Sequence, residues 1–436
     1  MKLTSSALLL LLGLSQAAPA PAQLPGFSTR AVALGGGYTA SASGFEAIAW
    51  NPALLAMPGH PGFSLNLVQF EIGAGSNTFS MGDFQKYRDK VLTTQDKNDI
   101  LAQVRQGDPT RTLSINVQPS IGALALSLGS FAASISAAGS IGADVSSDAV
   151  ELTLFGNVTR KGPGQSYTAA GSGVRGWGAG TLALAYGSKI PVPIGALAIG
   201  TTLKISRGIV AIRAEDLGTT LQTNPSFNAS AGFHALVSDV DSSKSNGSSV
   251  GLDLGGSYQL VSGLRFGLVL ENVINSTNWD DQHLVYYRKQ FRLSQNGSQV
   301  TDSTISNIDR APYNPADPLQ KRLHDSLTVG GTYPMRIRAG VNATSGKITL
   351  AAGAVIRVKQ ALDIGAAQQL SAGAEIRLIP FLPLRAGMSS DMQGGFTLSG
   401  GLGLKLGPLR FDGAVANTPS GNHKGFLAAV GLSILN

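Results

Sequence analysis

Apolar and polar residues alternate with a period of two through much of this chain. In residues 396–406, Phe396, Leu398, Leu402, Leu404 and Leu406 share one parity, and Thr397, Ser399, Gly401, Gly403 and Lys405 share the other. Successive side chains of a β-strand point to opposite faces, so each parity is one face. The same separation sets Leu264, Phe266, Leu268 and Leu270 against Arg265, Gly267 and Glu271, and Leu252, Leu254, Tyr258 and Leu260 against Asp253, Ser257 and Gln259. Arg336 and Arg338 oppose Ile337, Ala339 and Val341; Glu375 and Arg377 oppose Ile376 and Leu378; Arg410 and Asp412 oppose Leu409, Phe411 and Val415. Charges recur on one parity only, as on strands with one face in lipid and the other toward a polar lumen.

The alternating segments are each about ten residues long, the length a tilted strand needs to cross the hydrocarbon layer, and turn-forming residues separate most of them. They predict about 14 strands between Gly62 and Leu435. Unpaired backbone groups in lipid cost several kcal/mol each, so such a sheet must close on itself. The expected fold is all-β, a transmembrane antiparallel β-barrel. Residues 119–143 carry no charge, yet Leu124, Leu126 and Leu128 alternate with Ala123, Ala125 and Ser127 before Gly129-Ser130 interrupts. This Gly-rich, period-two stretch reads as a hairpin, not a helix.

Residues 83–106 depart from the pattern. Phe84, Tyr87 and Val91 recur at helical spacing on one face, and Ile100, Leu101 and Val104 on another. A break at Thr93-Thr94, with a threonine as cap, predicts two short helices. With the N-terminus on the periplasmic side, they form a short helical extracellular loop, and those six apolar residues are candidates for ligand capture above the lumen. Residues 217–247 and 294–325 read as further long, polar extracellular loops.

Composition supports the barrel. Charged residues are 14% of the chain, well under the roughly 25% usual for soluble domains, and Gly is 55 of 436 residues. There is no cysteine, so neither disulfides nor thiolate chemistry hold or operate this chain. The net charge of +7 comes without a Lys/Arg run or basic stripe, which argues against a nucleic-acid partner. A lumen or a lipopolysaccharide-facing rim uses such charge instead. Lys2, the apolar run Ala7–Leu12 and Ala20-Pro21-Ala22 have the layout of a cleavable secretory signal over residues 1–22. The expected destination is the bacterial outer membrane after Sec export, with outer-membrane lipid and lipopolysaccharide as neighbours.

Before the barrel (residues 61–436) lies a segment, residues 23–60, of different character. It contains Leu34-Gly35-Gly36-Gly37-Tyr38 and then Glu46-Ala47-Ile48-Ala49-Trp50-Asn51-Pro52-Ala53. Glycines permit close backbone approach and Asn-Pro enforces a turn. The segment resembles the N-terminal hatch of the FadL long-chain fatty acid transporter superfamily, including its PorV-like branch linked to type IX secretion. Less specifically, residues 92–101, Leu154-Phe155-Gly156-Asn157 and Gly267–Val273 are similar to an uncharacterised branch of these barrels. The resemblance implies an N-terminal plug inside the lumen, with Asn51, Pro52 and Ala53 holding its turn and Glu46 and Trp50 facing lumen-lining Arg or Lys. A departure is the C-terminus, Ile434-Leu435-Asn436, where such barrels commonly end on an aromatic residue.

Enzymatic chemistry has little support. Gly247-Ser248-Ser249-Val250-Gly251 matches the hydrolase pattern, but in a Gly- and Ser-rich chain the match needs a strand-turn-helix context. His60, His234, His283, His324 and His423 are scattered. Asp239-Val240-Asp241 starts like a calcium loop but lacks its later ligands. No catalytic residue, metal or cofactor is assigned. Three functions stay open: uptake of fatty-acid-like hydrophobic small molecules through a plugged lumen, a non-transporting PorV-like partner of secretion or assembly proteins, and an outer-membrane lipid hydrolase.

Overall fold

The computed structural model describes residues 28–435 except 157–159, 162–164, 223–226, 239–246, 262, 297–298, 331–334 and 359–367. The signal segment and the Asp239-Val240-Asp241 run lie outside the described residues.

The chain first forms β1 (Phe63–Ser76), β2 (Thr112–Leu128), β3 (Phe131–Ser146), β4 (Ser166–Thr168), β5 (Gly173–Ile190) and β6 (Ala196–Asp216). Then come β7 (Thr220–Gln222), β8 (Phe227–Ser238), β9 (Gly247–Val261), β10 (Leu264–Trp279), β11 (Leu284–Asn296), β12 (Gln299–Ile305) and β13 (Asp309–Pro312). The last are β14 (Arg336–Ser345), β15 (Ile348–Arg357), β16 (Gln368–Ile379), β17 (Leu382–Ser390), β18 (Phe396–Leu406), β19 (Leu409–Thr418) and β20 (Lys424–Leu435).

Fourteen of these strands close an antiparallel barrel. Its order is β1, β2, β3, β5, β6, β9, β10 and then β14 to β20, with β20 returning to β1 so that Leu65 lies opposite Ile434. No barrel edge is left to expose backbone groups to lipid. The uncharged stretch 119–143 is the β2–β3 hairpin. Outside the wall, Phe70, Leu184, Leu254, Leu268, Leu350 and Leu402 are among the many large apolar side chains left exposed. In a water-soluble protein so continuous a band would be a liability; in a bilayer it is the solvent-matched surface.

Turns such as Gly346-Lys347 and Gly407-Pro408 join strands at one end. The other end carries the long connections. Helices Met81–Tyr87 and Thr94–Arg105 follow β1 and begin with capping boxes, Ser80 with Asp83 and Thr93 with Asp96. The segments 217–247 and 294–325 differ from plain loops. Between them they contain β7, β8, β12, β13 and part of the helix Pro318–Gly330, and β8 pairs with β6 and β11 to extend the wall beyond the barrel. This extension has a small core of its own, where Leu236, Leu284 and Tyr286 pack with Leu323 of that helix.

Among the bulges of the barrel strands, those at Leu67 between Asn66 and Val68 and between Gly122 and Leu124 each insert one residue and so re-aim the side chains beyond them, whereas the irregularity between Leu270 and Ile274 inserts two and keeps the parity.

Candidate functional site: the lumen plug and the cavity beside it

The described part of the N-terminal segment fills the lumen. Ser28 caps the helix Thr29–Ala33, whose last turn runs into Gly35 and Gly36 at φ +65° and +93°, a conformation that excludes a β-carbon at little cost only to glycine. Asn51 then caps the turn Pro52–Ala56: its Oδ1 accepts from Ala53 N at 3.1 Å, while its Nδ2 donates to Thr39 O at 3.2 Å and to Gly256 O of β9 at 3.1 Å. One amide thus closes the turn and fastens it to the wall.

Glu46 organises the rest. Its carboxylate accepts from Ser28 Oγ and Tyr38 Oη, both at 2.5 Å, and lies 3.5 Å from Arg30. Arg30 in turn reaches Glu375 of β16 at 3.6 Å, where Arg377 and Arg385 also converge. The cation facing Glu46 therefore belongs to the plug itself and relays to the wall. Trp50 is completely buried, edge-on to Tyr38 at 5.4 Å between ring centres. It faces a wall cation directly: the Arg338 guanidinium sits 5.3 Å from its ring centre.

The wall is cut back to admit this plug. A β-carbon on Gly267 would lie 2.7 Å from Thr39 O, on Gly373 2.6 Å from Leu34 O, and on Gly187 2.8 Å from Pro52 O. Around these glycines, Ala132, Ala183, Ala185 and Ala198 pack against Leu54, Leu55 and Met57. Much of the glycine excess is thus a lumen lining that lets one backbone approach another.

A second charged cluster lies between plug and cavity. Glu271 pairs with Arg336 at 2.8 Å, Arg338 at 3.4 Å and Lys204 at 3.5 Å, and Lys204 also meets Asp253 at 2.6 Å. The adjoining bulge is held by the same groups: Asn272, at φ +53°, donates its N–H to Asp253 at 2.8 Å. Shared partners are what make charge tolerable inside a protein.

Beside the plug is a cavity of about 160 Å³. Phe45, Ile48, Ala49 and the paired Glu46 form its plug side, and its wall side is built largely of small residues of β2, β3 and β5, such as Ser120, Ser134 and Thr181. Leu124 and Ile135, which are about half exposed on the outer face, also line it, so at the β2 bulge the cavity reaches into the barrel wall.

The apolar loop residues do not come together. Phe84 is 63% exposed and Val91 93%, with Tyr87 partly exposed. Ile100, Leu101 and Val104 are buried, and the last two pack against Val150 of the helix Ser147–Phe155. The Gly247–Gly251 pattern lies within β9, with no strand-to-helix turn. The sequence alone did not single out Asn66, Gln69 and Glu71, which share the lumen face only because of the β1 bulge, nor Lys204 as a lumen cation, nor Arg338 as the particular wall cation that meets the plug. Polar residues interrupting the apolar run Leu65–Ile72 were the available signal.

A closed fourteen-stranded barrel with an apolar outer band, long connections at one end and its own N-terminal segment folded into the lumen is a plugged β-barrel of the outer-membrane type. The chain belongs to a family of unknown function, DUF5723, which it matches over residues 52–415. No functionally curated protein matches it. Among solved structures it is similar to the Pseudomonas putida toluene transporter TodX, at TM-score 0.50 and 12% identity over 95% of this chain and 99% of that one. A Pseudomonas aeruginosa FadL homologue gives TM-score 0.49 and 12% identity over 95% and 99%. The Ralstonia pickettii toluene transporter TbuX gives 0.46 and 13% over 94% and 99%. At such identities the likeness is one of fold alone.

Proposed function

We propose that this protein is an outer-membrane channel for uptake of hydrophobic small molecules. The observation that carries the reading is the cavity between plug and wall, lined on the plug side by Phe45, Ile48 and Ala49 beside the paired Glu46 and reaching the outward side chains Leu124 and Ile135 at the β2 bulge. A molecule captured among the outer loops, where Phe84, Tyr87 and Val91 offer apolar surface, passes into this cavity. It leaves by movement of the plug or through the wall. The lumen glycines and the Glu46 and Asn51 contacts hold the plug in register meanwhile. TodX, a toluene transporter, is similar in fold, which supports the reading by analogy of architecture alone.

A second reading, a non-transporting partner of secretion or assembly proteins, is favoured by the sheet of β8, β11, β12 and β13 standing beyond the barrel as a platform. The two readings part at the cavity. Ser136 faces it from β3, and Ser136→Trp fills it without touching the platform. We expect this variant to retain heat-dependent gel mobility, the sign of an intact barrel, and to lose uptake of a radiolabelled hydrocarbon by cells or vesicles carrying the protein. Undiminished uptake through a folded Ser136→Trp barrel would overturn the channel reading.

A further inference from the structure

Along the cavity, β1 presents three polar side chains. Asn66 is 1% exposed, Gln69 6% and Glu71 5%. A regular strand cannot put residues 66, 69 and 71 on one face; the bulge at Leu67 does so, bringing Gln69 and Glu71 into phase with Asn66. Asn66 Nδ2 donates to Gly122 O at 2.8 Å, which leaves its Oδ1 buried and without a hydrogen bond among the described residues. Gln69 Oε1 is in the same position. The Glu71 carboxyl lines the cavity with no ion pair or side-chain hydrogen bond among the described residues, and its cross-strand neighbours are Ser120 and Ala429.

Burying a carboxyl and two amide oxygens unpaired costs several kcal/mol unless something in the cavity supplies donors. The cations on the far side do not. Lys204 is taken by Asp253 and Glu271, and Arg336 by Glu271. The site therefore has acceptors to offer and no unshared cation. In size the cavity compares with an apolar void of about 150 Å³ that holds benzene.

We propose that this cavity binds a small apolar molecule bearing one hydrogen-bond-donating head group, a hydroxyl or an ammonium, with Glu71 as its principal acceptor and Asn66 and Gln69 beside it. This rests on the uptake reading and adds the polar end of the substrate. The apolar body lies against Phe45 and Ile48, and an anionic head group is disfavoured by Glu71.

The test is equilibrium binding of four probes with the same ring, toluene, benzyl alcohol, benzylamine and benzoate, to the full mature barrel in lipid nanodiscs, with protein-free discs as blank. Benzyl alcohol or benzylamine is expected to bind at least about tenfold tighter than toluene, as one hydrogen bond to a charged or strongly polar partner allows, and benzoate weakest. Glu71→Leu should abolish the preference while leaving toluene binding in place. Glu71→Gln, nearly isosteric, should retain benzyl alcohol and lose benzylamine, which separates the two head groups. Equal affinity for toluene, benzyl alcohol and benzylamine, or tightest binding of benzoate, would overturn the inference and leave the uptake reading standing. Failure of all four to bind a heat-modifiable barrel would overturn both.

Discussion

The Arg338 guanidinium covers the Trp50 ring at 5.3 Å and donates through Nη2 to Ala49 O at 2.9 Å. Arg338 is itself fully buried and lies 3.4 Å from Glu271, so one wall side chain joins the plug's aromatic anchor to the lumen charge cluster. Glu271 keeps Arg336 and Lys204 when Arg338 is removed, so the loss falls mainly on the plug. Arg338→Leu should weaken plug docking by about 3.5–5 kcal/mol, the sum of a desolvated cation–π contact and a charged hydrogen bond. Urea titration followed by Trp50 fluorescence, with Trp177 and Trp279 replaced by Phe, should show plug release at lower urea while the barrel stays folded. An unchanged midpoint would mean that the contact carries no weight.

Plug fit also depends on missing β-carbons. Gly267→Ala puts a methyl 2.7 Å from Thr39 O and Gly373→Ala one 2.6 Å from Leu34 O, where backbone must shift. Overpacking of this kind costs about 1–3 kcal/mol. The double variant should raise open-channel current in planar bilayers, whereas Gly413→Ala, with nothing within 4 Å of its β-carbon, should behave as the parent. Equal currents in all three would argue that the plug is not held by backbone contact.

His423, in the connection between β19 and β20, gives a pH signature outside the membrane-spanning strands. Burial pushes its pKa down to about 4, against a partial opposing pull from Asp391. A histidine depressed in the folded state binds fewer protons there than in the opened one. Its loop is therefore unaffected above pH 6.5 and loses stability as pH falls from there toward 4. Hydrogen exchange of residues 419–423 should accelerate across that window and cease to do so in His423→Gln. A histidine resonance titrating near 6.5 would contradict the burial.

How much of this was legible in the chain follows from where parity is continuous. Phe396–Leu406 pairs with β19 so that Lys405 and Arg410 meet on the lumen side, as their parity predicts. The barrel and its strand number follow from repeating that argument. Parity fails at single-residue bulges, because one inserted residue flips every side chain beyond it. For that reason Glu71 and Gln69 did not show as a lumen pair, while at Glu271-Asn272 two inserted residues left the parity unchanged and the bulge without a signal. The apolar spacing of Ile100, Leu101 and Val104 was visible, but spacing cannot tell a ligand surface from the packing face of a second helix, and Val150 covers part of it here. The glycines showed only as excess; for Gly187, Gly267 and Gly373 the reason lies in a plug backbone far away in sequence.

The central claim is that a hydrophobic molecule occupies the lumen beside the plug, and anomalous diffraction from the full barrel crystallised with bromobenzene tests it most directly. The account requires a bromine peak between Phe45 and Ile48 of the plug and the small residues of β2 and β3. Bromine found only on the lipid-facing surface, with that cavity empty, would contradict it.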